Sequence, residues 1–124
     1  MKILIVDDSE RMRQMIRSYI ADISTEIVEC EDGSEALDAY RKERPDIVFM
    51  DLKMSGMDGL QATRQIIHAF PNTRIVIVSQ WDDAHFREAA RRAGAETIVS
   101  KSDLFPLRSI LATVAQDSAV SVHE

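Results

Sequence analysis

The chain switches hydrophobic period in the same way five times: a short apolar run, then apolar residues at every third or fourth position. Lys2-Ile3-Leu4-Ile5-Val6 runs into Asp7-Asp8, after which Met12, Met15, Ile16, Tyr19 and Ile20 recur as one predicted helical stripe. Glu26-Ile27-Val28-Glu29-Cys30 is a more polar strand. The turn residues Glu31-Asp32-Gly33-Ser34 follow it, and then a helix with Ala36, Leu37 and Tyr40 on one face that must stop before Pro45. Ile47 to Met50 is too short and too branched for a helix and reads as a buried strand ending on Asp51. Ser55, Gly56, Asp58 and Gly59 make the next stretch a loop, with Asp58 the N-cap candidate of a helix turning Leu60, Thr63, Ile67 and Phe70 inward and ending at Pro71. Arg74 to Ser79 is the fourth strand, and the helix from about Asp83 carries Phe86, Ala89, Ala90 and Ala93 and closes on Gly94. Glu96 to Ser100 is the fifth strand, and the last helix shows Leu107, Ile110, Leu111 and Val114, with Pro106 tolerated in its first turn. Residues from about Gln116 are small or polar, so 117–124 are expected to fray at the end of a single domain spanning 1–124.

Strand and helix repeating at intervals of about twenty-five residues imply a parallel sheet with right-handed crossovers and helices on both faces, a doubly wound (βα)5 α/β domain. Strands buried on both faces read as unbroken apolar runs, which describes the first, third and fourth. The second carries Glu26 and Glu29 and the fifth Glu96 and Thr97, so these are the expected edges. The resulting order is the flavodoxin-like 2-1-3-4-5, whose crevice opens where the order reverses, between strands one and three.

At 124 residues the chain can bury about two-thirds of the surface its unfolded form exposes, without disulfides or a structural metal. The single cysteine, Cys30, has no intrachain partner and reads as a small buried hydrophobe in an intracellular protein. No charged-then-apolar leader and no apolar stretch approaching about 18 residues occurs, so a cytoplasmic protein without a membrane span is expected. A net charge of −6 argues against a nucleic-acid surface on this chain, since phosphate backbones are held by clustered Lys and Arg.

Given that fold, the polar strand ends share one rim: Asp7 and Asp8 after strand one, Asp51 after strand three, Ser79 after strand four and Lys101 after strand five. Adjacent strands lie about 4.8 Å apart, so the three carboxylates crowd at the switch point and repel unless something neutralises them. A hard divalent cation does so. Oxygen-only ligands with open positions suit Mg²⁺, which completes its shell with water and phosphate oxygens. Beside such a metal a lysine supplies a point charge and a serine a hydroxyl donor, both of use to a phosphoryl group in transfer. The site therefore reads as phosphoryl transfer onto a carboxylate. His68, His85 and His123 lack metal-ligand spacing, and Arg87, Arg91 and Arg92 read as a solvated basic stripe.

These residues resemble, over essentially the whole chain, the receiver domain of two-component response regulators. The likeness rests on Asp7-Asp8, on Asp51 with Met57-Asp58-Gly59 downstream, on Ser79, and on Gly94-Ala95 preceding Lys101; Ser102 after the lysine is closest to LuxR-type receivers. The resemblance implies Asp51 as phosphoacceptor, Asp8 and Asp51 as direct Mg²⁺ ligands, the Lys53 backbone carbonyl as a third, and Asp7 as a ligand through water. It further implies Ser79 as the switch hydroxyl, Lys101 as the phosphoryl-contacting lysine, and a histidine kinase, phosphotransfer protein or acetyl phosphate as donor. Self-association into a homodimer is open to such a module, which is a switch and not an enzyme with turnover on external substrates. Two alternatives are a small phosphatase of the haloacid dehalogenase type, which needs an Asp-x-Asp pair that Asp7-Asp8-Ser9 lacks, and a phosphorylation-independent pseudo-receiver. Three departures stand out. Ser55 replaces a common loop proline, Gln80 is larger than the usual small residue, and Ile98 stands where the family usually places the aromatic residue that reports phosphorylation.

Overall fold

Side chains of a strand alternate between its two faces, and here both sets are apolar, so every central strand must be covered on both sides. The computed structural model describes residues 1–23, 26–54 and 56–122, with side chains through Asp117. The readings that rest on Ser55 and His123 lie outside the described residues. In chain order the elements are β1 (Lys2–Val6), α1 (Glu10–Ile20), β2 (Glu26–Cys30), α2 (Gly33–Glu43), β3 (Ile47–Asp51), α3 (Gly59–Ala69), β4 (Ile75–Ser79), α4 (Ala84–Ala93), β5 (Thr97–Ser100) and α5 (Pro106–Val122). The strands form one parallel sheet in the order β2-β1-β3-β4-β5, the flavodoxin-like arrangement that the polar residues of the edge strands require.

Ile3, Ile5, Phe49, Val76 and Val78 point to one face, where Ile16 and Ile20 of α1 and Leu107, Leu111 and Val114 of α5 cover them. Leu4, Val6, Met50 and Ile77 point to the other, against Ala36 and Tyr40 of α2, Ala62 and Ile66 of α3 and Ala90 of α4. Each of the larger buried side chains contributes about 1.5–3 kcal/mol. Cys30 is buried as expected at the end of β2. No helix among the described residues is long and apolar enough to cross a membrane.

One reading of the helices needs correction. Met15 and Tyr19 are 40% and 41% exposed, so the buried stripe of α1 is narrower than predicted. At about 100° per residue Met15 lies roughly 100° round the helix from Ile16, whereas Met12 and Ile20 lie within about 40° of it. The helix α5 runs to Val122, and Asp117 Oδ2 accepts from Arg74 Nη1 at 2.9 Å. That ion pair links α5 to the start of β4, a long-range contact that local composition does not reveal.

Four helices begin on the rim where the strands end, each with a side-chain cap. Ser9 Oγ accepts from Met12 N at 3.2 Å, Asp32 from Ser34 N at 2.9 Å, Asp58 from Gln61 N at 2.8 Å and Asp83 from Phe86 N at 3.1 Å. The polar residues of that rim are thus divided between capping and the site described next.

Candidate functional site

Register brings the site together. Val6 lies opposite Met50 in the β1–β3 pair, so the next residues along, Asp7 and Asp51, emerge side by side. Asp51 is in turn opposite Val78, and Ser79 opposite Ser100, which places Lys101 next along from β5. The Lys101 N–H donates to the Ser79 carbonyl at 2.9 Å, extending the ladder one residue past the strand.

The side chains follow the backbone. One carboxylate oxygen from each of Asp7, Asp8 and Asp51 falls within 4.8 Å of the others. Asp7 and Asp51 are 1% and 4% exposed, and Asp8 faces solvent. Lys101 Nζ lies 2.9 Å from Asp51 Oδ1 and 3.1 Å from Asp7 Oδ2. The sequence reading gave this lysine to an incoming phosphoryl group; in the structure it bridges two of the three carboxylates directly. Asp7 Oδ1 accepts from Ser9 N at 2.9 Å, while Oδ2 has the lysine charge nearby but no aligned hydrogen-bond donor. A buried carboxylate oxygen with acceptor capacity to spare is what a cation site needs.

Electrostatics separate the members of the cluster. Burial pushes the Asp51 carboxyl up to about 6; contact with Lys101 opposes that shift, and the neighbouring Asp7 and Asp8 charges add to it. Burial works against the Lys101 ammonium, but its contacts with Asp51 and Asp7 outweigh burial and hold it above the ordinary lysine range.

Ser79 is buried, and its Oγ accepts from the Trp81 N–H at 2.9 Å, leaving its own proton to donate elsewhere. Trp81 is 44% exposed and is not a core residue; its ring centroid lies 6.2 Å from that of Phe86. Lys53 sits in the loop after β3 with its ammonium 5.9 Å over the Phe86 ring, so its side chain is directed toward α4. Ile98 is buried in the core on the α2–α4 side, and Gln80 is exposed. Arg91 and Arg92 pair with Glu88, and Arg87 with Asp82, as a solvated stripe would.

Arg13 and Arg17 escaped the sequence reading as parts of the site, and Gly59 entered it only as a loop residue and part of the family motif. Arg13 donates through Nη1 to the Asp7 carbonyl at 2.6 Å and through Nε to Glu29 Oε1 at 2.8 Å, clamping the Asp7–Asp8 turn to the edge strand. Arg17 holds the other oxygen of Glu29. Gly59 opens α3 where a helix former is expected, because a Cβ there would lie 1.9 Å from the Asp51 carbonyl oxygen. That poor helix propensity was the available signal. Asp32, read only as part of a turn, also touches the loop after β3.

A family model described as the response regulator receiver domain matches residues 3–115. The chain is 37% identical over 102 residues to the chemotaxis protein CheY of Listeria monocytogenes, covering 82% of this chain and 86% of that one. A LuxR-family two-component response regulator from Aurantimonas is 32% identical with a TM-score of 0.79, covering 99% of this chain and 98% of that one. The CheX–CheY–BeF3–Mg complex of Borrelia burgdorferi contains a chain of the same fold, 22% identical with a TM-score of 0.76, covering 90% of this chain and 87% of that one.

Proposed function

The chain belongs to the response-regulator receiver family of two-component signalling, and from that premise we propose that it is a Mg²⁺-dependent switch phosphorylated on Asp51. The observation that carries this reading is a buried carboxylate, Asp51, paired with Lys101 and within 4.8 Å of two further carboxylates. The donor set is all oxygen, and Asp7 Oδ2 has acceptor capacity left, so the residues present fit a hard divalent cation. In this reading Asp8, Asp51 and the Lys53 carbonyl hold Mg²⁺ directly, and Asp7 does so through water. Bound there, the ion neutralises the carboxylates and takes up phosphoryl oxygen charge. The Borrelia burgdorferi complex that contains a chain of the same fold also contains Mg²⁺ and BeF3, which agrees with a cation at this rim.

An Asp51 oxygen forms the bond to phosphorus while the bond from phosphorus to the donor breaks, the electron pair leaving on a histidine nitrogen or an acyl oxygen. The attacking oxygen must be ionised, a state that burial disfavours and that Lys101, and a divalent cation when bound, would favour. Lys101 is placed to follow the charge from the carboxylate onto the phosphoryl oxygens, and Ser79 offers a hydroxyl proton. The donor is a histidine kinase, a phosphotransfer protein or a small acyl phosphate. Incubation with acetyl phosphate and Mg²⁺, followed by intact-mass measurement, should show one base-labile phosphoryl group on the wild type and none on Asp51→Asn. An equal gain in the variant, or none in the wild type with a competent donor, refutes the assignment.

A further inference from the structure

Among the described residues, the loop between β3 and α3 makes contacts at two places. At the base the Gly59 N–H donates to the Leu52 carbonyl at 2.9 Å, and Met54 and Met57 pack against the core beneath. At the tip the loop meets the turn after β2. The Asp32 carboxylate caps α2 through the Ser34 N–H at 2.9 Å, and it is held below the ordinary carboxylate range first by that N–H and, more weakly, by the nearby backbone N–H of Met57. The two turns are pressed together so closely that each has glycine at the contact. A Cβ on Gly56 would lie 2.4 Å from Asp32 Oδ1, and one on Gly33 would lie 2.4 Å from the Met57 carbonyl oxygen. Capping α2 alone requires none of this, since a cap needs only its own helix.

Lys53 stands between the base and the tip of that loop. Once both ends are held, the backbone of Lys53 has little freedom left to lose, and a ligand held in place before binding costs less than one ordered by it. We propose that Asp32 is a positioning residue for the cation site: by holding Gly56 and Met57 it fixes the loop that carries the Lys53 carbonyl. The proposal rests on the Mg²⁺ reading above. Asp32 touches no ion in this arrangement and acts through the backbone of another turn.

The cap and the clamp can be separated by substitution. Serine is as good an N-cap as aspartate but is a bond shorter, so Asp32→Ser keeps the α2 cap and loses reach to Met57, whereas Asp32→Asn keeps the length and one acceptor oxygen, whose two lone pairs allow it to serve both N–H groups. Calorimetric Mg²⁺ titration of the full chain should find Asp32→Ser weaker by on the order of tenfold, and Asp32→Asn within about twofold of the wild type. The Met57 amide proton should shift upfield in Asp32→Ser alone. Mg²⁺ affinity in Asp32→Ser equal to the wild type overturns the clamp, as does an equal loss in Asp32→Asn, which would assign the effect to charge. If Asp32→Ser does not fold, Gly56→Ala presses a methyl group against the Asp32 carboxylate from the side of the loop, and unchanged Mg²⁺ affinity there overturns the proposal. A wild type that binds no Mg²⁺ overturns the metal reading together with the clamp, an outcome distinct from the others.

Discussion

Replacing Asp51 by Asn removes a carboxylate that is 4% exposed and whose pKa burial pushes up to about 6, from 3.8 in the unfolded chain. Because the folded protein holds this proton more tightly than the unfolded chain does, protonation of Asp51 favours folding. That contribution is fully present below 3.8 and is lost as the pH rises through 6. A shift of roughly two units corresponds to about 3 kcal/mol, of which about 1.4 kcal/mol is lost between about pH 5 and about pH 7.5. Asparagine has no such term. Urea unfolding of both proteins in EDTA should therefore show the stability of Asp51→Asn, relative to wild type, rising by about 1.4 kcal/mol over that interval. Groups titrating far from Asp51 cancel in the difference. Mg²⁺ at about ten times its dissociation constant binds only the folded state and should return about 1.4 kcal/mol to the wild type alone. A difference between the two proteins that is independent of pH, or that shrinks as the pH rises, would refute the argument from burial.

Gly59→Ala places a methyl group 1.9 Å from the Asp51 carbonyl oxygen, a backbone atom that cannot step aside, and should lower the stability measured by urea unfolding by about 2–3 kcal/mol. In Mg²⁺ titrations Asp8→Ala should abolish binding, whereas Lys101→Ala should tighten it, because the lysine occupies Asp7 and Asp51 oxygens at 3.1 and 2.9 Å. Comparable loss in both variants contradicts that division of roles. Beryllofluoride with Mg²⁺ should change Trp81 emission while amide shifts on β5 and α5 stay small; large shifts there with unchanged emission would show the opposite route.

Much of the fold was legible because it is written in period and polarity. Glu26 and Glu29 on one strand and Glu96 and Thr97 near another marked the sheet edges, since a strand covered on both faces has no place for charge, and the strand order followed. The rim residues were legible for the same reason: Asp7, Asp51 and Ser79 end apolar runs abruptly, and register alone then brings Asp7 beside Asp51. What escaped depends on contacts between distant turns. Arg13 meets Glu29 and Asp7, and Asp32 meets Met57, through approaches that no local pattern encodes. The exposed Met15 and Tyr19 show the same limit on α1, where the apolar stripe is wider in sequence than the surface that α1 covers.

Ser79, Trp81 and Ile98 together argue for where the response of this receiver is expressed. The Ser79 hydroxyl is tied to the Trp81 N–H at 2.9 Å, so a rotation that carries Oγ toward a phosphoryl group on Asp51 breaks the bond that orders the start of the β4–α4 loop. Beyond it the Asp82 carbonyl accepts from Arg87 Nε at 2.7 Å and Asp83 caps α4, while the Trp81 ring stays outward. Trp81 is 44% exposed and meets Phe86 at 6.2 Å, and Phe86 in turn receives the Lys53 ammonium from the loop after β3. A change at Ser79 thus reaches aromatic contacts at the surface within a few residues. Ile98 offers no comparable path: it is 5% exposed, packed among core side chains, and branched at Cβ, where few χ1 rotamers are available. An aromatic ring at that position swings between core and solvent as a lever, and a buried isoleucine does not. On the proposed function, strain introduced at Ser79 should therefore relax first into the exposed loop carrying Trp81, because the core beside Ile98 is close-packed and yields only at the cost of off-rotamer side chains.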